Sequence, residues 1–166
     1  DHAPRGVLNK ALHLNLQIQR TPEAIDVAQA EIENIPHNVA GKSVRGTQIE
    51  SAVHLAFGCT SLSYSAFMIP NEPPSFYEPL FAGLASWRTF LTDYAKFNEG
   101  AVCSGAGIAF SETHRKLDMT GKPGFAWASF GGNEVSNLLV CGLPLTWRNE
   151  QTPATVLHHT AVDGMG

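Results

Sequence analysis

The chain of 166 residues is poor in charge: only 16% is Asp, Glu, Lys or Arg, and the formal net charge is -4. No basic cluster interrupts it, which argues against a nucleic-acid partner or an acidic membrane surface. No run of about 18 apolar residues occurs, so no segment reads as a membrane-spanning helix. Cysteine is scarce, and Cys59, Cys103 and Cys141 are odd in number, widely spaced and without a C-x-x-C pair. Neither a disulfide framework nor a zinc knuckle is indicated, and the three read as small buried hydrophobes. The seven histidines lack an H-E-x-x-H spacing. Adjacent His158 and His159 would point to opposite faces of a strand and chelate poorly. Gly105-Ala-Gly107 and Gly131-Gly132 lack the G-x-G-x-x-G spacing of a dinucleotide-binding turn. Against these absences stands a 43% hydrophobic content, enough for a core in one domain or in pieces of two.

An initiator Met and a signal sequence are missing as well. The chain opens Asp1-His-Ala-Pro and stops at Asp163-Gly-Met-Gly166, in what reads as the start of a new element. An internal fragment of a longer protein is therefore expected, and no compartment is indicated.

What is present is organised around Ala28 to Asn38, followed closely by Gly41-Lys42-Ser43. Read as a strand, its period of two puts Gln29, Glu31 and Glu33 on one face and Ala28, Ala30 and Ile32 on the other. Two carboxylates on one strand face are costly to bury unless paired or used. Pro36 stops the ladder, so Glu33 lies at the strand's carboxyl end, where α/β architectures place their chemistry.

Around this strand, Val7 to Arg20 fits a helix face or an alternating strand, with helix preferred. Ile25 to Ile35 is the acidic strand. From Val44 the pattern is helical, with Ile49, Ala52, Val53 and Ala56 on one face, Thr47 and Glu50 as a capping box, and Gly58 as the stop. Thr60 to Met68 alternates as a second strand, with Leu62 and Tyr64 on one face and Ser61, Ser63 and Ser65 on the other. Two strands joined by such a helix form a parallel β-α-β unit. After a Pro-rich loop, Leu80, Leu84, Trp87, Leu91 and Tyr94 mark a long amphipathic helix whose wet side carries Arg88, Thr89, Thr92, Asp93 and Lys96. Beyond Asn98-Glu-Gly100 the pattern restarts with a strand at Ala106 to Ser111, a helix at Asn133 to Cys141 and a strand at Ala154 to His158. Two domains are expected, 1–99 and 100–166.

Glu33-Asn-Ile-Pro36 resembles the Glu-x-x-Pro at the carboxyl end of barrel strand seven in family 42-type β-galactosidases, which are clan-A glycoside hydrolases. The helix from Val44 and the strand after Gly58 look like helix seven and strand eight of that family. Tyr77 to Asn98 is similar to its closing helix, and the segment after Glu99 to the Rossmann-like domain that follows. The resemblance implies the carboxyl-terminal part of a (β/α)8 TIM barrel followed by the start of a Rossmann-like α/β domain. It implies hydrolysis of a glycosidic bond, such as a β-galactoside, without a cofactor. Glu33 would be the nucleophile, with His37 and Tyr64 in sugar subsites and Glu31 either hydrogen-bonding sugar hydroxyls or holding an Arg from a missing strand. The family's Trp after the nucleophile is absent, the loop reading His37-Asn-Val-Ala-Gly-Lys42. Its acid/base Glu, on strand four, would precede Asp1. Two strands cannot close a barrel, so these 166 residues alone are expected to be inactive.

His158-His-Thr-Ala-Val-Asp-Gly164 matches the H-H-x-x-x-D-G pattern of chloramphenicol acetyltransferase-like and condensation-type acyltransferases. That match implies His159 as general base and a structural Asp163. A third reading is a noncatalytic carbohydrate-binding or homo-oligomerisation module, in which Glu33 is exposed at a sheet edge and replaceable.

Overall fold

The computed structural model describes residues 4–19, 21–22, 24–34, 39–65, 72–101, 103–108, 137–147 and 155–156. Helix α1 spans Pro4–Gln19. The helical reading prevails there over the strand alternative because Ala11, Leu12, Asn15 and Leu16 fall on one helical face, and all four are buried.

Strand β1 (Gln29–Glu33), helix α2 (Val44–Ala56) and strand β2 (Ser61–Ser65) form the parallel β-α-β unit. The pairing is in register, with Ala30 opposite Leu62, Glu31 opposite Ser63 and Glu33 opposite Ser65. β1 is shorter than the expected Ile25 to Ile35. Residues 25–28 lie outside it, and Ile25 and Val27 are exposed. Ala30 and Ile32 are buried on the side opposite the carboxylates.

The face of α2 differs from the apolar one expected. Ile49 is exposed, and the buried residues are Thr47, Gln48, Glu50, Ser51, His54 and Leu55. Polar groups tolerate this position because each finds a partner. Gln48 Nε2 donates to Gly83 O at 2.9 Å, Ser51 Oγ to Thr47 O at 2.7 Å, and Thr47 Oγ1 to Ser43 O at 3.1 Å. His54 Nδ1 lies 2.7 Å from Glu50 O. The capping box also gives way: Ser43 is the cap, its Oγ accepting from Gly46 N at 3.0 Å, which frees Glu50 for another use.

A 3-10 turn (Pro74–Tyr77) leads into α3 (Glu78–Phe97). The stripe of Leu80, Leu84, Trp87, Leu91 and Tyr94 is half-buried and the polar side is exposed, yet no residue of α3 is buried. α3 crosses α2 at Gly83, where an added Cβ would stand 2.1 Å from Val44 Cγ1. Arg45 lies over the Trp87 ring at 4.9 Å, a second tie between the two helices.

A second sheet is built from β3 (Ala106–Ile108), β4 (Leu145–Thr146) and β5 (Thr155–Val156), with β3 in the centre and both pairings parallel. Residues 137–140 are helical, and Leu138 and Leu139 pack toward this sheet's core. Leu12 and Leu16 of α1 meet Ile108, Leu145 and Trp147 in one hydrophobic cluster. Trp147 Nε1 donates to Leu12 O at 2.8 Å, and Gln19 Nε2 to Thr146 Oγ1 at 3.0 Å. The start of β3 passes so close to the start of β4 that only glycine fits at residue 105. Its φ is +154°, and a Cβ would stand 2.2 Å from Pro144 O.

This arrangement overturns the expected end of a TIM barrel followed by the start of a Rossmann-like domain. The two strands of the first sheet and the three of the second are separate, and no barrel closes among the described residues. A barrel needs one continuous ladder of staggered strands. Here α1 instead lays its apolar face on the second sheet.

Thiol reactivity offers a direct check of this packing. Burial pushes the Cys59 thiol up to about 11 and raises that of Cys103, although a hydrogen bond with Asn15 pulls Cys103 the other way. Cys141 is exposed. In the native protein a disulfide reagent at pH 8 should titrate Cys141 first, and Cys59 should react only after denaturant is added. Fast native labelling of Cys59, located by peptide mapping, would contradict the packing.

Candidate functional site

The in-register pairing of β1 with β2 assembles one polar surface. Because side chains alternate along both strands, Gln29, Glu31 and Glu33 share a face with Ser61, Ser63 and Ser65. Gln29 Nε2 donates to Ser61 Oγ at 3.2 Å. Glu31 is exposed and Glu33 half-buried. The surface thus alternates carboxylates with hydroxyls at the short cross-strand spacing.

Beneath its carboxyl end lies a buried charge cluster. Lys42, only 4% exposed in its side chain, donates to Glu33 O at 2.6 Å and to Glu50 Oε2 at 2.5 Å. Lys10 on α1 reaches Glu50 Oε1 at 3.1 Å from a half-exposed position. Burial works against the Glu50 carboxylate, but the hydrogen bond and charge of Lys42, with Lys10 behind them, hold its pKa below the ordinary value. The ion pair fastens the loop before α2 and the helix itself to the main chain of Glu33. A second tie crosses the same end: Val39 N donates to Glu72 Oε2 at 3.0 Å, and the Tyr77 hydroxyl donates to the same oxygen. Burial first, and the Glu72 carboxylate second, push the Tyr77 phenol up to about 12.

Of the residues singled out from the sequence, Glu31 and Glu33 are brought together on this face. Tyr64 lies on the opposite face, its hydroxyl 3.0 Å from Ser51 Oγ under α2. His37, His159 and Asp163 lie outside the described residues. Lys42, Glu50 and Glu72 were missed. A lysine two residues before a helix ordinarily reads as solvated, and Thr47-x-x-Glu50 has the spacing of a cap. The one available signal was Gly41-Lys42-Ser43 between a strand and a helix. Among the described residues, no group of three or more His, Cys, Asp or Glu is placed to hold a metal ion.

No family model, curated protein or solved structure matches the chain.

Proposed function

We propose that the polar face of β1 and β2 is a saccharide-binding surface in a carbohydrate-active protein. The observation that carries this reading is the register that sets Glu31 against Ser63 and Glu33 against Ser65 on an accessible face. A sugar ring presents hydroxyls that both donate and accept. Carboxylates take the donated protons, serine hydroxyls serve either way, and the Gln29 amide extends the row. The apolar residues Ala30 and Ile32 back the surface and leave it little freedom to collapse.

A second reading, glycosidic bond hydrolysis with Glu33 as nucleophile, draws support from the Lys42 contact with the Glu33 main chain. A reacting carboxylate must be held to a fraction of an ångström, and a buried ion pair below its backbone is suited to that task. In this scheme Glu33 attacks the anomeric carbon while another carboxylic acid protonates the departing oxygen.

Titration of the full chain with a panel of mono- and oligosaccharides, followed by amide NMR, tests the first reading. Expected are shifts at residues 29–33 and 61–65, and loss of binding in the Glu31→Ala/Glu33→Ala double variant. Turnover of aryl glycosides tests the second, ideally in the longest natural form of the protein. Glu33→Gln should keep saccharide binding and lower turnover on the order of 10⁴-fold, as loss of a member of a catalytic set does. Saccharide binding at neither strand would sink both readings. Acyl-CoA-dependent transfer abolished by His159→Ala would replace them with the acyltransferase.

A further inference from the structure

The outer edge of β2 opens on a groove of about 600 Å³ lined by Leu55, Leu62, Tyr64, Leu84 and Leu91, with Arg88 and Lys96 of α3 along it. In the parallel ladder Ser61, Ser63 and Ser65 turn their main-chain groups toward β1, as the bond from Asn34 N to Ser65 O at 3.3 Å fixes. Alternation therefore turns the N–H and C=O of Leu62 and Tyr64 outward, toward the groove. No strand pairs with that edge among the described residues.

α3 packs against α2, over a sheet that has two strands among the described residues. Helices pack about 8–10 Å apart and strands about 4.8 Å, so two helices cover more strands than β1 and β2 supply. The uncovered apolar side of α3 is the consequence, and it explains why none of its residues is buried. Arg88 and Lys96 are the only charged residues lining the groove among those described, and neither has an ion-pair partner there.

We propose that the groove receives an extended, acidic segment of a partner polypeptide, which adds to β2 as a third strand. The open main-chain groups of Leu62 and Tyr64 would bond its backbone, and apolar side chains at alternate positions would lie against Leu84 and Leu91. Carboxylates on the same segment would meet Arg88 and Lys96, which sets partner choice more than bulk affinity. An anionic lipid would satisfy the two cations and the apolar lining but would leave the strand edge open.

The test is selection of twelve-residue peptides from a displayed random library against the full chain, followed by hydrogen exchange with the enriched sequences. Expected are peptides alternating apolar residues with at least two acids, and exchange at the Leu62 and Tyr64 amides slowed about 10-fold or more. Arg88→Glu/Lys96→Glu should weaken binding about 10-fold or more, since like charges then face each other. Should that variant unfold, Arg88→Gln/Lys96→Gln serves, with a smaller loss. Absence of enrichment, enrichment of basic peptides, or binding without protection of those two amides would overturn the proposal. Dodecanoate shifting the groove signals while the library yields nothing would identify a lipid-type site instead.

Discussion

Lys42→Met should destabilise the protein by about 3–5 kcal/mol, the loss typical when one member of a buried ion pair is removed and the other is left behind. For a chain of this size that corresponds to a fall in Tm of roughly 6–20 °C. The cause lies less in the lost attraction than in what remains: Glu50 would stay almost wholly enclosed, with only half-exposed Lys10 opposite it. Lys42→Met/Glu50→Leu should therefore recover most of the loss, because no unpaired charge is left inside. A double variant as unstable as the single would show that the main-chain bond to Glu33 dominates. The pH dependence follows from the lowered pKa of Glu50. The unfolded carboxylate takes up its proton at the ordinary value of 4.5, before the folded one does. The stabilisation is thus complete above that value and is lost as pH falls through the lower folded value. Urea midpoints measured from pH 7 downward should fall more steeply for wild type than for Glu50→Gln.

Gly105→Ala should be the most damaging single-methyl change in the second sheet, costing at least about 3 kcal/mol. Two faults coincide. A φ of +154° is strained for any residue with a Cβ, and that Cβ would stand 2.2 Å from Pro144 O and 2.9 Å from Leu145 N. Neither neighbour is a side chain that can swing away, and Ala106 N needs Pro144 O for its bond at 2.9 Å. Relief would come only by separating β3 from β4. Gly100→Ala is the control: its φ is +72° with nothing within 4 Å of the new methyl, so only the backbone term of about 1 kcal/mol applies. Chemical denaturation of both variants decides the matter, and equal losses would disprove the close approach.

Local pattern accounts for what was legible in the sequence. β1, α2 and β2, their parallel order and the stripe of α3 all follow from periods of two and of 3.6 over contiguous residues. The shared face of Glu31 and Glu33 was legible for the same reason. β4 was not, because two residues after Pro144 carry no period. The buried face of α2 was misread because the partner that lets Gln48 go inside lies on Gly83, far along the chain, and Ser51 adds a contact with Tyr64 of β2 to its bond within the helix. The barrel expectation failed on the partner of α1. Leu12 and Leu16 suit any apolar sheet, and only the fold shows that theirs is built from Ile108, Leu145 and Trp147. Lys42 was hidden by its residue type, since lysine is ordinarily a surface residue.

The bond from Trp147 to Leu12 joins positions 135 residues apart, and it has a consequence during synthesis. A ribosome adds about 5–20 residues per second, so α1 emerges roughly 7–27 s before the tryptophan that caps it. Until residue 108 is made, Leu12 and Leu16 have none of their second-sheet partners, and the cluster is complete only when Leu145 and Trp147 follow.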